Sequence, residues 1–334
     1  VAAVAGTLAL VADIGGTNAR FALTDPVAAQ PALLHEQTLR CAGFASLHHA
    51  AEHYLAQVGA APREASIAVA CPVTGDEVRL TNRAWAFSRS ELQRTLGLDA
   101  LGVINDFGAV AWAVPALGHA DLLPLYGDSS PPARGPVTLL GPGTGLGVGL
   151  LAGDRDRGWL VLETEGGHVS FAPQGEEEQL IARWVAARFG RASTERVLSG
   201  SGLAHIDAAL RAAAAGPESA DAGLRDPAAI VSAALDGHDL PARRTLARFC
   251  AILGSVAGDA ALIHGARCVV IAGGIVPRFI PFLRSSAFRE RFLAKGRFAD
   301  HLAQVPIQVI VHPQPGLLGA AMALRAGAGR EPAP

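Results

Sequence analysis

The sequence has one lysine, Lys295, and it stands outside any Gly-x-x-x-x-Gly-Lys-Ser/Thr run. A Walker-type phosphate loop needs that lysine to reach the β- and γ-phosphates, so P-loop chemistry is excluded. Cysteine is scarce too: Cys41, Cys71, Cys250 and Cys268 are widely spread, with no Cys-x-x-Cys pair. That spacing suits neither a disulfide framework nor a cysteine-built zinc site, and reduced core thiols are expected. Charged residues make up only 17% and sum to a formal −2. The basic residues are scattered, which gives no footprint for nucleic acid or an anionic membrane. No uninterrupted apolar run approaches the roughly 20 residues that a bilayer crossing requires. Val1–Ala12 lacks a basic n-region and meets Asp13 and two glycines at once, so it reads as a first strand and not a signal peptide. The cytoplasm is the expected location.

Half of the residues are hydrophobic, and 334 residues suffice for two domains with separate cores. Leu8–Ile14 and Ala19–Leu23 flank Gly15-Gly16 as strand, turn and strand, and Val137–Leu140 and Leu146–Leu151 repeat this around Gly-Pro-Gly-Thr-Gly. The recurrence suggests two related halves. Further strands are predicted at Ser66–Cys71, Gly102–Asn105, Cys268–Ala272 and Ile307–Val311. Helices are predicted at Ser46–Val58, through Ala109–Val114, at Glu176–Phe189 and after Pro313–Gly316, with loops at Tyr126–Pro136 and Gly216–Asp226. Strands and helices alternating this way predict an α/β architecture.

The chemistry concentrates at the glycine turns. In Asp13-Ile14-Gly15-Gly16-Thr17, glycines without Cβ atoms let backbone N–H groups approach phosphate oxygens. Thr17 adds a hydroxyl, and Asp13 a carboxylate able to position hydrated Mg²⁺. The bland alternative is a hairpin with Gly-Gly at its tip. Gly143-Thr144-Gly145 has the same character; one such loop is weak, but one in each half favours a phosphate clamp. Gly273-Gly274 ends a buried strand and offers a flat surface for a nucleoside, or simply a strand terminus. Asp106, in Ile104-Asn105-Asp106-Phe107, is a candidate base for a phosphoryl-acceptor hydroxyl, although Asp after a buried strand is also a common helix N-cap. Glu165 and His168 bracket Gly-Gly and suit vicinal hydroxyls, which both donate and accept. A metal pair there lacks a third ligand of suitable spacing. Glu195, read alone, is a solvated helix-end residue.

Together and in this order, these residues closely resemble the bacterial glucokinase family, within the actin-like sugar kinase and Hsp70 ATPase superfamily. The resemblance runs from Leu10 to Arg325 and is most specific at Asp13–Arg20, Ala70–Gly75, Thr81–Phe87, Ile104–Phe107, Gly143–Val148, Glu165–Pro173, Glu195–Gly200, Ile271–Phe279 and Pro315–Gly319. It implies two actin-like (RNase H-like) α/β domains flanking a deep cleft that closes on sugar. The smaller would be 1–116 plus 311–334, and the larger 117–310. The implied reaction is ATP-dependent phosphorylation of glucose to glucose 6-phosphate. By resemblance Asp106 is the base, and Asn105, Asp106, Glu165, His168 and Glu195 hold the sugar. Gly15, Gly16, Thr17, Gly143, Thr144 and Gly145 would receive the ATP phosphates, Gly273 and Gly274 the nucleoside, and Asp13 would help place Mg²⁺. A homodimer is implied as well, with no nucleic-acid or membrane partner.

Four positions depart from the family pattern: Glu163-Thr164 replaces Pro-Gly, Ser170 replaces Asp, and Pro142 enters the second phosphate loop. They touch substrate preference more than reaction class. The zinc motif of the related repressor and kinase group is missing, so no structural metal is expected. The alternatives are a kinase for another hexose and a non-catalytic sugar sensor. Sensors of this superfamily usually carry a helix-turn-helix ahead of the kinase fold, and no room for one is expected before Leu8; Asp106 argues the same way.

Overall fold

The structure is a computed structural model that describes residues 8–28, 30–80, 85–215 and 223–330. Residues 81–84 of the Thr81–Phe87 motif and 216–222 of the expected Gly216–Asp226 loop lie outside these. The chain divides into two compact units, the first comprising Val1–Gly118, Arg155–Glu163 and His312–Pro334, the second His119–Asp154 and Thr164–Val311.

In the first unit, β1 (Ala9–Ile14) is nearly all buried and forms a hairpin with β2 (Asn18–Thr24), which pairs in turn with β3 (Leu34–Arg40). On the other side of β1, β4 (Glu64–Val69) and β7 (Ala100–Asn105) run parallel to it, giving the order β3-β2-β1-β4-β7. A separate ribbon pairs β5 (Glu77–Arg79) with β6 (Ala86–Ser88). The apolar continuity of β1, β4 and β7 follows from burial on both faces. Leu10, Ala12 and Ile14 share one face with Phe21 and with Tyr54 of α1 (Leu47–Val58), where the two rings stack 5.3 Å apart. The Ser46 side chain caps α1, and left-handed Gly59 ends it.

Val11 and Ala22 face the opposite way, onto Leu317, Ala320 and Ala321 of the C-terminal helix, Pro315–Ala326. That helix crosses α3 (Asp106–Ala113), which follows α2 (Arg89–Thr95) and β7. A Cβ at Gly319 would stand 1.6 Å from the Ala109 carbonyl oxygen, so the two helices meet backbone to backbone.

The second unit repeats the plan. β9 (Val137–Pro142) and β10 (Leu146–Asp154) form the hairpin, while β12 (Cys268–Ile271) and β13 (Ile307–Ile310) run parallel to β9. The order β10-β9-β12-β13 matches β2-β1-β4-β7, so the two halves suggested by the glycine turns share one topology. β8 (Leu122–Tyr126) adds an antiparallel edge beyond β13, where the expectation had a loop beginning at Tyr126; its Pro124 is tolerated because edge strands leave N–H positions free. After Asp154 the chain turns into β11 (Gly158–Thr164), whose residues through Glu163 belong to the first unit. Trp159 and Val161 pack there against Ala68, Ile104, Ala109 and Trp112.

The helical layer of the second unit consists of α4 (Gly175–Phe189), α5 (Gly200–Ala215), α6 (Pro227–Asp236) and α7 (Leu240–His264), followed by α8 (Ile280–Ser285) and α9 (Phe288–Leu293). One 18-residue window of α7 reaches a mean hydropathy of 1.6, enough by length and composition for a membrane span. That qualifies the expectation from apolar runs, but 67% of the window is buried within the protein, as in a core helix. All four cysteines are free and buried, as expected.

Glu178 of α4 is fully buried and receives both Arg291 of α9, at 2.7 and 3.1 Å, and Arg248 of α7, at 3.1 Å. Arg291 also donates to Ser255, while Lys295 bonds Asp259 at 2.6 Å and the Ser255 carbonyl at 3.0 Å. Removing one partner of such a network strands the others' charges away from water. Glu178→Ala is therefore expected to destabilise the protein by about 3 kcal/mol, read as a lower urea midpoint by circular dichroism.

Candidate active site

β7 ends at Asn105, and α3 begins at Asp106. Asn105 takes the cap: its Oδ1 accepts from the N–H groups of Phe107 at 2.9 Å and Gly108 at 3.1 Å, and its Nδ2 donates to the Cys71 carbonyl at 3.3 Å. The cap that Asp106 was weighed for thus belongs to its neighbour. The Asp106 carboxylate sits in the first helical turn, half-buried, with Oδ1 accepting from the Phe107 N–H at 2.8 Å. Its pKa is pushed up to about 6, first by burial and then by the negative charges of Asp13 and Glu163, against the lowering pull of the backbone N–H groups. Burial and the same Asp106 charge push up the Cys71 thiol.

Asp13 lies near the end of β1, opposite Arg20 in the hairpin register, and accepts from the Arg20 guanidinium at 3.1 Å. Burial raises its pKa more than Arg20 lowers it. A Cβ at Gly316, in the first turn of the C-terminal helix, would come within 2.8 Å of this carboxylate. Gly15, Gly16 and Thr17 form the hairpin tip beside it, closed by the Gly15 N–H to the Asn18 carbonyl at 3.0 Å and the Cys41 N–H to the Thr17 carbonyl at 3.0 Å. The first unit therefore gathers Asp13, Gly15–Thr17, Asn105 and Asp106 at the C-terminal ends of β1 and β7.

The second unit gathers the rest. Gly143, Thr144 and Gly145 form the tip between β9 and β10, with the Gly143 N–H donating to the Gly145 carbonyl at 2.8 Å. Pro142, expected inside this loop, is the buried last residue of β9, paired with Leu146. Gly273 follows β12 at φ +88° with its Cα against the Pro142 carbonyl; an added Cβ would lie 2.2 Å from that oxygen. Only glycine combines that φ with that approach, so Gly273-Gly274 sits directly behind the second glycine turn.

Glu195 is not a free surface residue. Its N–H donates to the Gly167 carbonyl at 2.8 Å, and its Oε2 accepts from the Leu146 N–H at 3.0 Å. A Cβ at Gly145 would meet that same oxygen at 2.5 Å. Gly166–His168 form a single 3₁₀ turn, and the His168 ring stands 3.7 Å from Glu165 and 3.9 Å from Glu195. The ring and both carboxylates form an acceptor-rich cluster suited to several hydroxyl groups. Read alone, Glu195 looks like a solvated helix-end residue, and only the family resemblance groups it with Glu165 and His168; the bonds to Gly167 and Leu146 that bring it beside them join segments far apart in the chain.

A duplicated sheet with paired glycine hairpins, carrying a half-buried aspartate after β7, is the architecture of the actin-like sugar kinases. A solved glucokinase from an Antarctic psychrotroph matches with a TM-score of 0.84 and 37% identity over 96% of this chain and 99% of its own. A glucokinase from Balamuthia mandrillaris, solved with glucose, shares the fold at a TM-score of 0.79 and 22% identity, covering 96% of this chain and 94% of its own. The glucokinase of Yersinia pestis (strain Pestoides F) is 45% identical over 329 residues, 97% of this chain and 98% of the relative. The family model described as Glucokinase matches residues 10–327, and the chain belongs to the glucokinase family.

Proposed function

We propose that Asp106 is the general base with which this glucokinase-family enzyme phosphorylates glucose to glucose 6-phosphate at the expense of ATP. The observation that carries this reading is a half-buried carboxylate, held at a capped helix start, with its pKa raised to about 6. A base is most effective when its pKa approaches the working pH. In a loose phosphoryl-transfer transition state the acceptor oxygen needs aim above all, and the capped turn supplies a fixed carboxylate.

The remaining roles follow from the local geometry. Glu165, His168 and Glu195 present acceptors and a ring nitrogen to the sugar hydroxyls. Asn105 has its amide oxygen committed to α3, so its contribution to the sugar comes through the second Nδ2 hydrogen. Gly15, Gly16 and Thr17 in one unit and Gly143, Thr144 and Gly145 in the other offer backbone and hydroxyl donors to the phosphates of ATP. The open backbone at Gly273-Gly274 suits the nucleoside. ATP arrives as its Mg²⁺ complex, and the Asp13 carboxylate is the hard oxygen donor that such an ion prefers. A homodimer and a cytoplasmic location complete the reading; the first rests on the family resemblance, the second on four buried free thiols.

A coupled assay for glucose 6-phosphate tests the base. Asp106→Asn should lower kcat by at least about 100-fold, and wild-type kcat/KM should fall as pH drops through about 6, where Asp106 gains its proton. The same shift predicts a stability effect. The folded pKa of Asp106 exceeds the ordinary aspartate value of 3.8, so the ionised group destabilises the fold increasingly between 3.8 and about 6. Asp106→Asn should accordingly match the wild type in stability below about pH 4 and exceed it above about pH 6. Retained turnover in the variant would remove Asp106 from the mechanism. For the sugar cluster, Glu195→Gln should raise the KM for glucose about tenfold while leaving the KM for ATP near the wild-type value.

A further inference from the structure

Residue Gly108 is the third residue of α3, the position from which a glutamate side chain commonly reaches back to the N–H of the capping residue. Glycine has no side chain to do so. The Asn105 N–H is instead accepted by Oε1 of Glu163, from β11, at 3.1 Å. The same oxygen occupies the space above Gly108: a Cβ there would lie 2.3 Å from it, and 2.9 Å from the Glu163 Cδ and Cγ. β11 is built to deliver this group. Strand side chains alternate, so Glu163 shares a face with Trp159 and Val161, and those two pack against Ile104, Ala109 and Trp112 around the β7–α3 corner. Glu163 is also one of the positions at which the chain departs from the expected Pro-Gly.

We propose that Glu163 is a positioning residue for Asp106: it completes the N-terminal cap of α3 from another strand, in the space that Gly108 leaves open, and so fixes the backbone that aims the base. The proposal rests on the reading of Asp106 as the base. Two charged groups raise the proton affinity of that carboxylate, Asp13 on β1 and Glu163 on β11; Asp13 is itself paired with Arg20 on β2, and the Cys71 thiol after β4 responds to the Asp106 charge. Glu163 adds negative charge beside Asp106, so its charge holds the proton affinity of the base up as its oxygen holds the turn.

The test is a double-mutant cycle on kcat for glucose, with Glu163→Ala, Gly108→Ala and the pair. Each single change should lower kcat about tenfold with little change in the KM for glucose, and the pair should lose no more than either alone. Alanine is the better helix former at position 108 and offsets the lost cap bond, so Gly108→Ala should melt close to the wild type, which separates displacement of Glu163 from general damage. Glu163→Gln keeps an acceptor oxygen without the charge; it should retain most of kcat while the acid limb of kcat/KM moves to lower pH. A wild-type kcat in Glu163→Ala, losses that multiply in the pair, or an unmoved acid limb in Glu163→Gln would each overturn the proposal. Asp106→Asn, assayed in parallel, separates the two readings. If it stays active, the base assignment fails; if it is inactive while the Glu163 variants behave as wild type, only the role of Glu163 fails.

Discussion

The side chain of Asn105 ties the β7–α3 corner of the first unit together. Through one amide it closes the first turn of α3 and reaches back to the Cys71 carbonyl beyond the end of β4. Its backbone N–H is claimed by Glu163. Satisfying those N–H groups anchors the helix start, and the residue carried by that start is Asp106. The far side of α3 is pinned by the backbone contact with Gly319. The carboxylate is thus held from its cap and from the flank of its helix, a geometry that suits a group proposed to aim at an acceptor.

The second unit solves a similar problem without a cap. Glu195 lies in an irregular segment, but its own N–H and its carboxylate are both spoken for, one by Gly167 and the other by the Leu146 N–H. Gly145 and Gly167 have no Cβ where one would collide, with Glu195 in the first case and with the Leu146 carbonyl in the second. Two glycines that look like turn punctuation therefore also shape the Glu165–His168–Glu195 cluster. The second glycine hairpin and this cluster share β10 as their common support.

Much of this was legible in the sequence because it depends on local chemistry. The buried strands announce themselves as apolar runs that end in glycine, and the repeat of that motif foretold a shared topology. Ser46 and the proline after α3 marked helix boundaries. What escaped notice was settled by long-range contact. β3 is an exposed edge strand rich in polar residues, β8 contains a proline, and β11 alternates too weakly to be seen. The partners of Glu163 and Glu195 lie 58 and 49 residues away, and no spacing rule reveals such pairs. The choice between Asn105 and Asp106 as the cap needed geometry as well, since either residue type serves there.

The lone lysine has a consequence for covalent modification. The Lys295 side chain is 8% exposed, with its ammonium engaged by Asp259 and the Ser255 carbonyl. Side-chain amine chemistry, from acetyl transfer to isopeptide conjugation and amine-directed cross-linking, thus has a single target in this chain, and that target is shielded and charged. The positive charge on the exterior resides on guanidinium groups, which stay protonated and are poor nucleophiles at any physiological pH. Lysine-directed acylation consequently has little purchase on this chain.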